Sequence, residues 1–104
     1  MKKFIFIILS VLTVSAYAGN VSWLRYPSIS PDGKSVVFSY GGDLYIVASE
    51  GGEARKLTSH QAYDYAPVWS PDGKIIAFAS DRFGNFDIYK VPVKGGVPER
   101  LTTN

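Results

Sequence analysis

At 104 residues the chain has room for one small domain, and with 46% hydrophobic and 14% aromatic residues it is too apolar to stay disordered. It has no cysteine and one histidine, which excludes disulfide staples, thiol nucleophiles and any multi-histidine metal cluster. The formal charge of +2 comes from Lys2 and Lys3; the basic and acidic residues beyond them balance, so nothing in the rest of the chain asks for nucleic acid or an anionic membrane surface.

The first predicted element is a targeting segment. "MKKFIFIILSVLTVSAYA" carries two lysines, an apolar run from Phe4 to Val14 and then Ala16-Tyr17-Ala18, the three regions of a secretory signal. The apolar run is shorter than the roughly 20 residues a membrane span needs, so a cleaved signal peptide over 1–18 is favoured over an uncleaved anchor. The expected protein is exported, periplasmic or secreted, and meets a membrane only through this segment if it is left uncleaved.

Next comes a duplication. "SPDG" stands at Ser30–Gly33 and again at Ser70–Gly73. Around it, "YPSISPDGKSVVFSY" from Tyr26 aligns with "APVWSPDGKIIAFAS" from Ala66 at a constant offset of forty. From Asp43 and Asp87 the offset becomes forty-four, because the second copy gains Arg82-Phe83-Gly84-Asn85. Self-similarity at a period of about 40–45 residues signals a propeller or solenoid. Each copy holds short runs rich in Val, Ile, Phe and Tyr, bounded by Gly, Pro or Asp, and none is long enough for an ordinary helix. Strands are therefore predicted near 25–30, 35–40, 43–49 and 54–58, and near 66–70, 75–80, 86–92 and 97–102. The expected fold is all-β: two four-stranded antiparallel β-propeller blades, an incomplete propeller over 19–104, with blades at about 25–58 and 66–102.

The duplicated tetrapeptide is then the first hairpin turn of each blade, with Pro at the second position and Gly at the fourth. Asp32 and Asp72 read as turn residues that accept from their own backbone rather than as metal ligands, since one carboxylate per turn is a poor cation site. Trp69 matches Ile29 in the first strand and reads as packing; Trp23 precedes the repeat and has no assigned role. His60 falls in the connector "TSHQAYDYAP", where a Ser–His–Asp triad with Asp64 can be drawn on paper, but both are better read as polar loop residues. No G-x-S-x-G elbow or Gly-rich phosphate loop occurs, so no catalytic residue, cofactor or metal is expected.

The stretches "PSISPDGKSVVFSYGGDLYIVASEGGEARKLT" and "PVWSPDGKIIAFASDRFGNFDIYKVPVKGGVPERLT" resemble the Pro-Asp repeats of TolB-like propellers and, more closely, the opening blades of bacterial tricorn-type proteases. That resemblance implies a non-catalytic N-terminal propeller portion of an exported serine peptidase, involved in substrate access or in docking a peptide or protein. Alternatives are a periplasmic TolB-like protein-binding scaffold without enzymatic activity and a secreted carbohydrate- or ligand-binding propeller. In tricorn-type enzymes the protease and PDZ modules lie far downstream. With two blades where a ring takes about 4–8, the chain is expected to be a fragment whose remaining partners are the downstream blades.

In an up-and-down blade alternate loops share a face. The SPDG and Gly-Gly turns are expected on one face, and the connector with the second-to-third-strand loops on the other. Tyr63, Asp64, Tyr65, Arg82, Phe83 and Asn85 are the candidate peptide- or partner-binding residues, because added loop length and an exposed aromatic suggest recognition. The plainer readings are that Phe83 folds back over the blade edge and that Arg82 pairs with Asp81 or Asp87.

Overall fold

The SPDG turn builds the first hairpin of each half of the molecule. In the computed structural model, which describes residues 24–59 and 62–103, the Gly33 amide donates to the Ser30 carbonyl at 2.9 Å and the Ser30 amide to the Ser35 carbonyl at 2.9 Å. The side chains close the turn further. The Ser30 hydroxyl donates to Asp32 Oδ1 at 2.6 Å, that oxygen also accepts from the Lys34 amide at 2.9 Å, and Ser30 Oγ accepts from the Ser35 amide at 3.0 Å. Ser70, Asp72, Lys74 and Ile75 repeat the pattern. Both carboxylates are thus used by their own turns. Gly33 and Gly73 each sit at φ 73°, in the left-handed region.

From these turns grow eight strands: β1 (Arg25–Ile29), β2 (Ser35–Tyr40), β3 (Asp43–Ala48), β4 (Arg55–Lys56), β5 (Asp64–Trp69), β6 (Ile75–Phe83), β7 (Asn85–Pro92) and β8 (Glu99–Arg100). They form two four-stranded sheets, β1-β2-β3-β4 and β5-β6-β7-β8, with every neighbouring pair antiparallel. The two-blade, all-β reading of the repeat is therefore correct. The predicted signal peptide over 1–18, Trp23 and His60 lie outside the described residues.

Four strands depart from the expected limits by more than one residue. The last strand of each blade is only two residues long. Leu57 leaves the ladder to bury its side chain in the core while its amide still donates to the Leu44 carbonyl at 2.7 Å. β5 starts at Asp64 rather than at 66, because Asp64 and Tyr65 pair with Ser80 and Ala79. The insertion 82–85 is not a free loop. It lengthens the β6–β7 hairpin, with Phe83 opposite Asn85 and the turn at Gly84.

In the first strand of each blade the register slips, between Arg25 and Ser28 and between Tyr65 and Val68. Tyr26 (φ 54°) and Ala66 (φ 56°) adopt positive φ at these bulges, just before Pro27 and Pro67. A proline has no amide for the ladder, and a bulge is where a strand can carry one. Since both blades have the feature at the same repeat position, it belongs to the blade.

The blades pack face to face. Val37, Leu44 and Leu57 of the first meet Ile76, Phe78, Tyr89 and Val91 of the second, all buried, with Trp69 and Val93 at the margin. Side chains of this size contribute about 1.5–3 kcal/mol each when fully buried. Polar contacts key the seam: Trp69 Nε1–H donates to the Ser28 carbonyl at 2.9 Å, the Ser39 hydroxyl to the Asp64 carbonyl at 2.7 Å, and Arg55 to the Val93 carbonyl at 2.9 Å. The other face of β2 buries Val36 and Phe38, which explains the unbroken apolar run in "SVVFSY". On the second blade Val68, Phe86, Ile88 and Leu101 of the far face are left exposed by the described residues.

Candidate functional site

The expected arrangement of loops holds. Both SPDG turns, with Val93 beside the second Gly-Gly turn, line one cleft of about 390 Å³. The connector lies at the other end, seated on the β2–β3 turn. There the Asp64 amide donates to the Gly42 carbonyl at 2.8 Å, and Tyr63 covers Gly42 so closely that a Cβ at that glycine would lie 3.4 Å from its ring.

The six candidate residues occupy this end but divide between the two faces of the second blade. Asp64 is not a loop residue: it opens β5 and is fully buried. Its carboxylate accepts from Arg82 Nη2 at 3.1 Å and 2.9 Å, and Arg82 Nε donates to Ser80 Oγ at 2.9 Å. Arg82 pairs with neither Asp81 nor Asp87. Its guanidinium lies over the rings of Tyr89 at 5.2 Å and Phe78 at 5.7 Å, on the side turned toward the first blade. Asp81 instead accepts from the Tyr63 amide at 2.8 Å, tying the connector to the hairpin. Asp64 and Arg82 thus hold the site together from beneath.

Phe83 is 67% exposed yet not adrift. The irregularity between Ser80 and Phe83 turns its ring onto Tyr89, at a centroid distance of 6.3 Å. Arg100 lies over the Phe83 ring at 5.2 Å and donates to Asp87 Oδ2 at 2.6 Å. Asn85 is exposed opposite Phe83 in the same hairpin.

Tyr63 and Tyr65 belong to a separate aromatic group, together with two residues that the sequence reading passed over. Tyr65 contacts Tyr26 at 5.5 Å, Tyr63 at 5.5 Å and Phe86 at 5.2 Å, the last edge-on. Tyr26, Tyr63 and Phe86 are 43%, 38% and 46% exposed. The clue in the sequence was an exception to the repeat: Phe86 precedes Asp87 where Gly42 precedes Asp43.

Electrostatically, three carboxylates are held below their ordinary range. The Arg100 hydrogen bond does so for Asp87, and the Ser30 and Ser70 hydroxyls, helped by the backbone amides of Lys34 and Lys74, do so for Asp32 and Asp72. A depressed folded-state value means that the stabilisation is complete above the unfolded value of 3.8 and is lost as pH falls through the folded one. Thermal stability is therefore expected to fall below about pH 4, and Asp87→Asn to reduce the difference in melting temperature between pH 7 and pH 3. An unchanged difference would remove the Arg100–Asp87 clasp from the account.

Consecutive four-stranded antiparallel units, packed face to face with their first strands adjacent, define a β-propeller. Residues 21–104 match the family described as the tricorn protease N-terminal beta propeller domain, and the chain belongs to that family. An uncharacterized protein of Agrobacterium fabrum is 39% identical over 79 residues, which covers 70% of this chain and 26% of the relative. Tricorn protease homolog 1 of Streptomyces coelicolor is 33% identical over 81 residues, covering 78% of this chain and 7% of the relative. The crystal structure of TolB from Acinetobacter baumannii is similar with a TM-score of 0.68 at 32% identity, covering 76% of this chain and 21% of that one. The chain thus spans between 7% and 26% of the length of these two curated relatives.

Proposed function

We propose that the chain forms the opening, non-catalytic blades of an exported tricorn-like serine peptidase, and that the propeller controls substrate access or docks peptide for a catalytic module elsewhere in the protein. The observation that carries this reading is the family match over 21–104, joined by identity to a tricorn protease homolog. Export rests on the signal-like residues 1–18. The similarity to TolB favours a second reading, a periplasmic protein-binding scaffold that catalyses nothing.

A serine-directed fluorophosphonate probe separates the two. The whole protein is expected to be labelled and to hydrolyse peptides, whereas residues 19–104 alone show neither property. A whole protein that ends after about six blades and takes no label would overturn the peptidase reading in favour of the scaffold. Turnover by residues 19–104 that disappears in His60→Ala would overturn both.

A further inference from the structure

We infer that the cleft between the two SPDG turns receives the arginine side chain of an extended peptide, with the guanidinium held between Asp32 and Asp72. This deepens the docking reading above and rests on it.

The cleft lies in the seam between the two blades, and both blades contribute to its walls. A further blade in a ring packs on the outward face of a sheet, so it does not cover this end of the seam. The volume of about 390 Å³ falls in the roughly 300–1,000 Å³ range of ligand sites. Pro31, Pro71, Val93 and Trp69 give it apolar walls, and Asp32 and Asp72 line it together. The Trp69 N–H is spent on the Ser28 carbonyl, so the indole offers the cleft only its apolar surface. Past Ser35 and Val93 the cleft continues into a hollow of about 270 Å³ with Ile46, Val47 and Ala48 in its wall, which gives room for the peptide beside the side chain.

The carboxylates decide the occupant. Within each turn the serine hydroxyl and the lysine amide both donate to Oδ1 of the aspartate, which leaves Oδ2 for a ligand. The Ser30 and Ser70 hydroxyls hold the two groups below the usual carboxylate range, so both are ionised at neutral pH. Neither belongs to an ion pair among the described residues, whereas Asp43, Asp64 and Asp87 each have a lysine or arginine partner. Lys34 and Lys74 follow the two aspartates in sequence but do not line the cleft. Two uncompensated negative charges at one apolar cleft call for a cation. A divalent metal fits poorly, because hard cations take six or more oxygens and no group of three candidate ligands occurs among the described residues. A guanidinium fits well. Its flat faces stack on an indole, and its five N–H donors can reach both carboxylates at once. A lysine ammonium is a strongly hydrated point charge and gains less from the same walls.

The test is fluorescence anisotropy on the whole protein with labelled glycine-rich octapeptides carrying one central arginine, lysine or citrulline, the last having the shape of arginine without its charge. The arginine peptide is expected to bind at least about tenfold more tightly than the citrulline peptide, the scale of a charge-assisted hydrogen bond, and more tightly than the lysine peptide. Asp32→Asn combined with Asp72→Asn should abolish the preference for arginine over citrulline, while each asparagine keeps an acceptor for its own turn. Carbodiimide labelling of carboxylates, read by mass spectrometry, needs no substitution: the arginine peptide should slow labelling of Asp32 and Asp72, and the citrulline peptide should not. Equal binding of the three peptides, survival of the preference in the double variant, or unprotected Asp32 and Asp72 each overturns the cleft but leaves peptide docking intact. Absence of binding by any peptide also overturns it, while docking is then judged separately by hydrolysis of long against short substrates. Displacement of the arginine peptide by a neutral oligosaccharide would assign the cleft to sugar instead.

Discussion

Arg82→Ala is expected to lower the stability of the whole protein by about 3–5 kcal/mol, the cost of leaving a buried charge without its partner. Asp64 has no exposed surface, and its two carboxylate oxygens have Arg82 as their hydrogen-bonding partner. Removing the guanidinium also strips one face of Tyr89 and a donor from Ser80. The backbone of Asp64 is gripped by the first blade through Gly42 and Ser39, so the carboxylate cannot swing out to water without disturbing the seam. Replacing both partners by apolar residues, Asp64→Leu with Arg82→Met, should recover most of the loss, because a well-packed apolar pair is often as stable as a buried ion pair. Chemical denaturation of the two variants decides the matter. A loss below about 1 kcal/mol for Arg82→Ala, the scale of an exposed pair, would mean that water reaches Asp64.

Gly73→Val should cost about 1–3 kcal/mol, the scale of forced backbone strain. Space is not the difficulty, since a Cβ at Gly73 would meet only Pro31 Cδ, at 3.8 Å. The difficulty is φ of +73°, which a β-branched residue adopts only under strain. Gly73→Asn should lose much less, because asparagine tolerates the left-handed region. Phe83→Ala is the comparison. Its ring gives up one stacked pair and one cation contact from an exposed position, worth about 1 kcal/mol. If Phe83→Ala proves more damaging than Gly73→Val, the lengthened β6–β7 hairpin is a structural prop, and Phe83 has no claim to a recognition role.

The turns, the strands and the blade pairing were legible because they are local or repetitive. Two copies of "SPDGK" separated by forty residues specify the hairpins and the period together, and the positive φ at Gly33 and Gly73 follows from the turn itself. The chemistry of the connector was not legible in the same way. Asp64 reads as a loop carboxylate because its partner, Arg82, stands eighteen residues away inside an insertion, and no periodicity links the two. The same insertion reads as a loop because its strand character arises only when Phe83 pairs with Asn85 across Gly84. Leu57 and Leu101 occupy the same repeat position, yet one is buried and the other exposed, because among the described residues a second blade packs on that face of the first blade and none packs on that face of the second.

The closed Ser30–Asp32–Lys34 and Ser70–Asp72–Lys74 turns have a kinetic consequence. Each hairpin carries its own hydrogen-bond ring within five residues, and every sheet pairing joins strands consecutive along the chain. Little loop-closure entropy is lost before such contacts form, so each blade is a short-range unit that can assemble while the next is still being synthesised. The slow event is then docking of the second blade onto Val37, Leu44 and Leu57, when the Trp69 indole first meets the Ser28 carbonyl. Trp69 thus reports inter-blade docking, and its fluorescence should lag behind β-sheet circular dichroism during refolding.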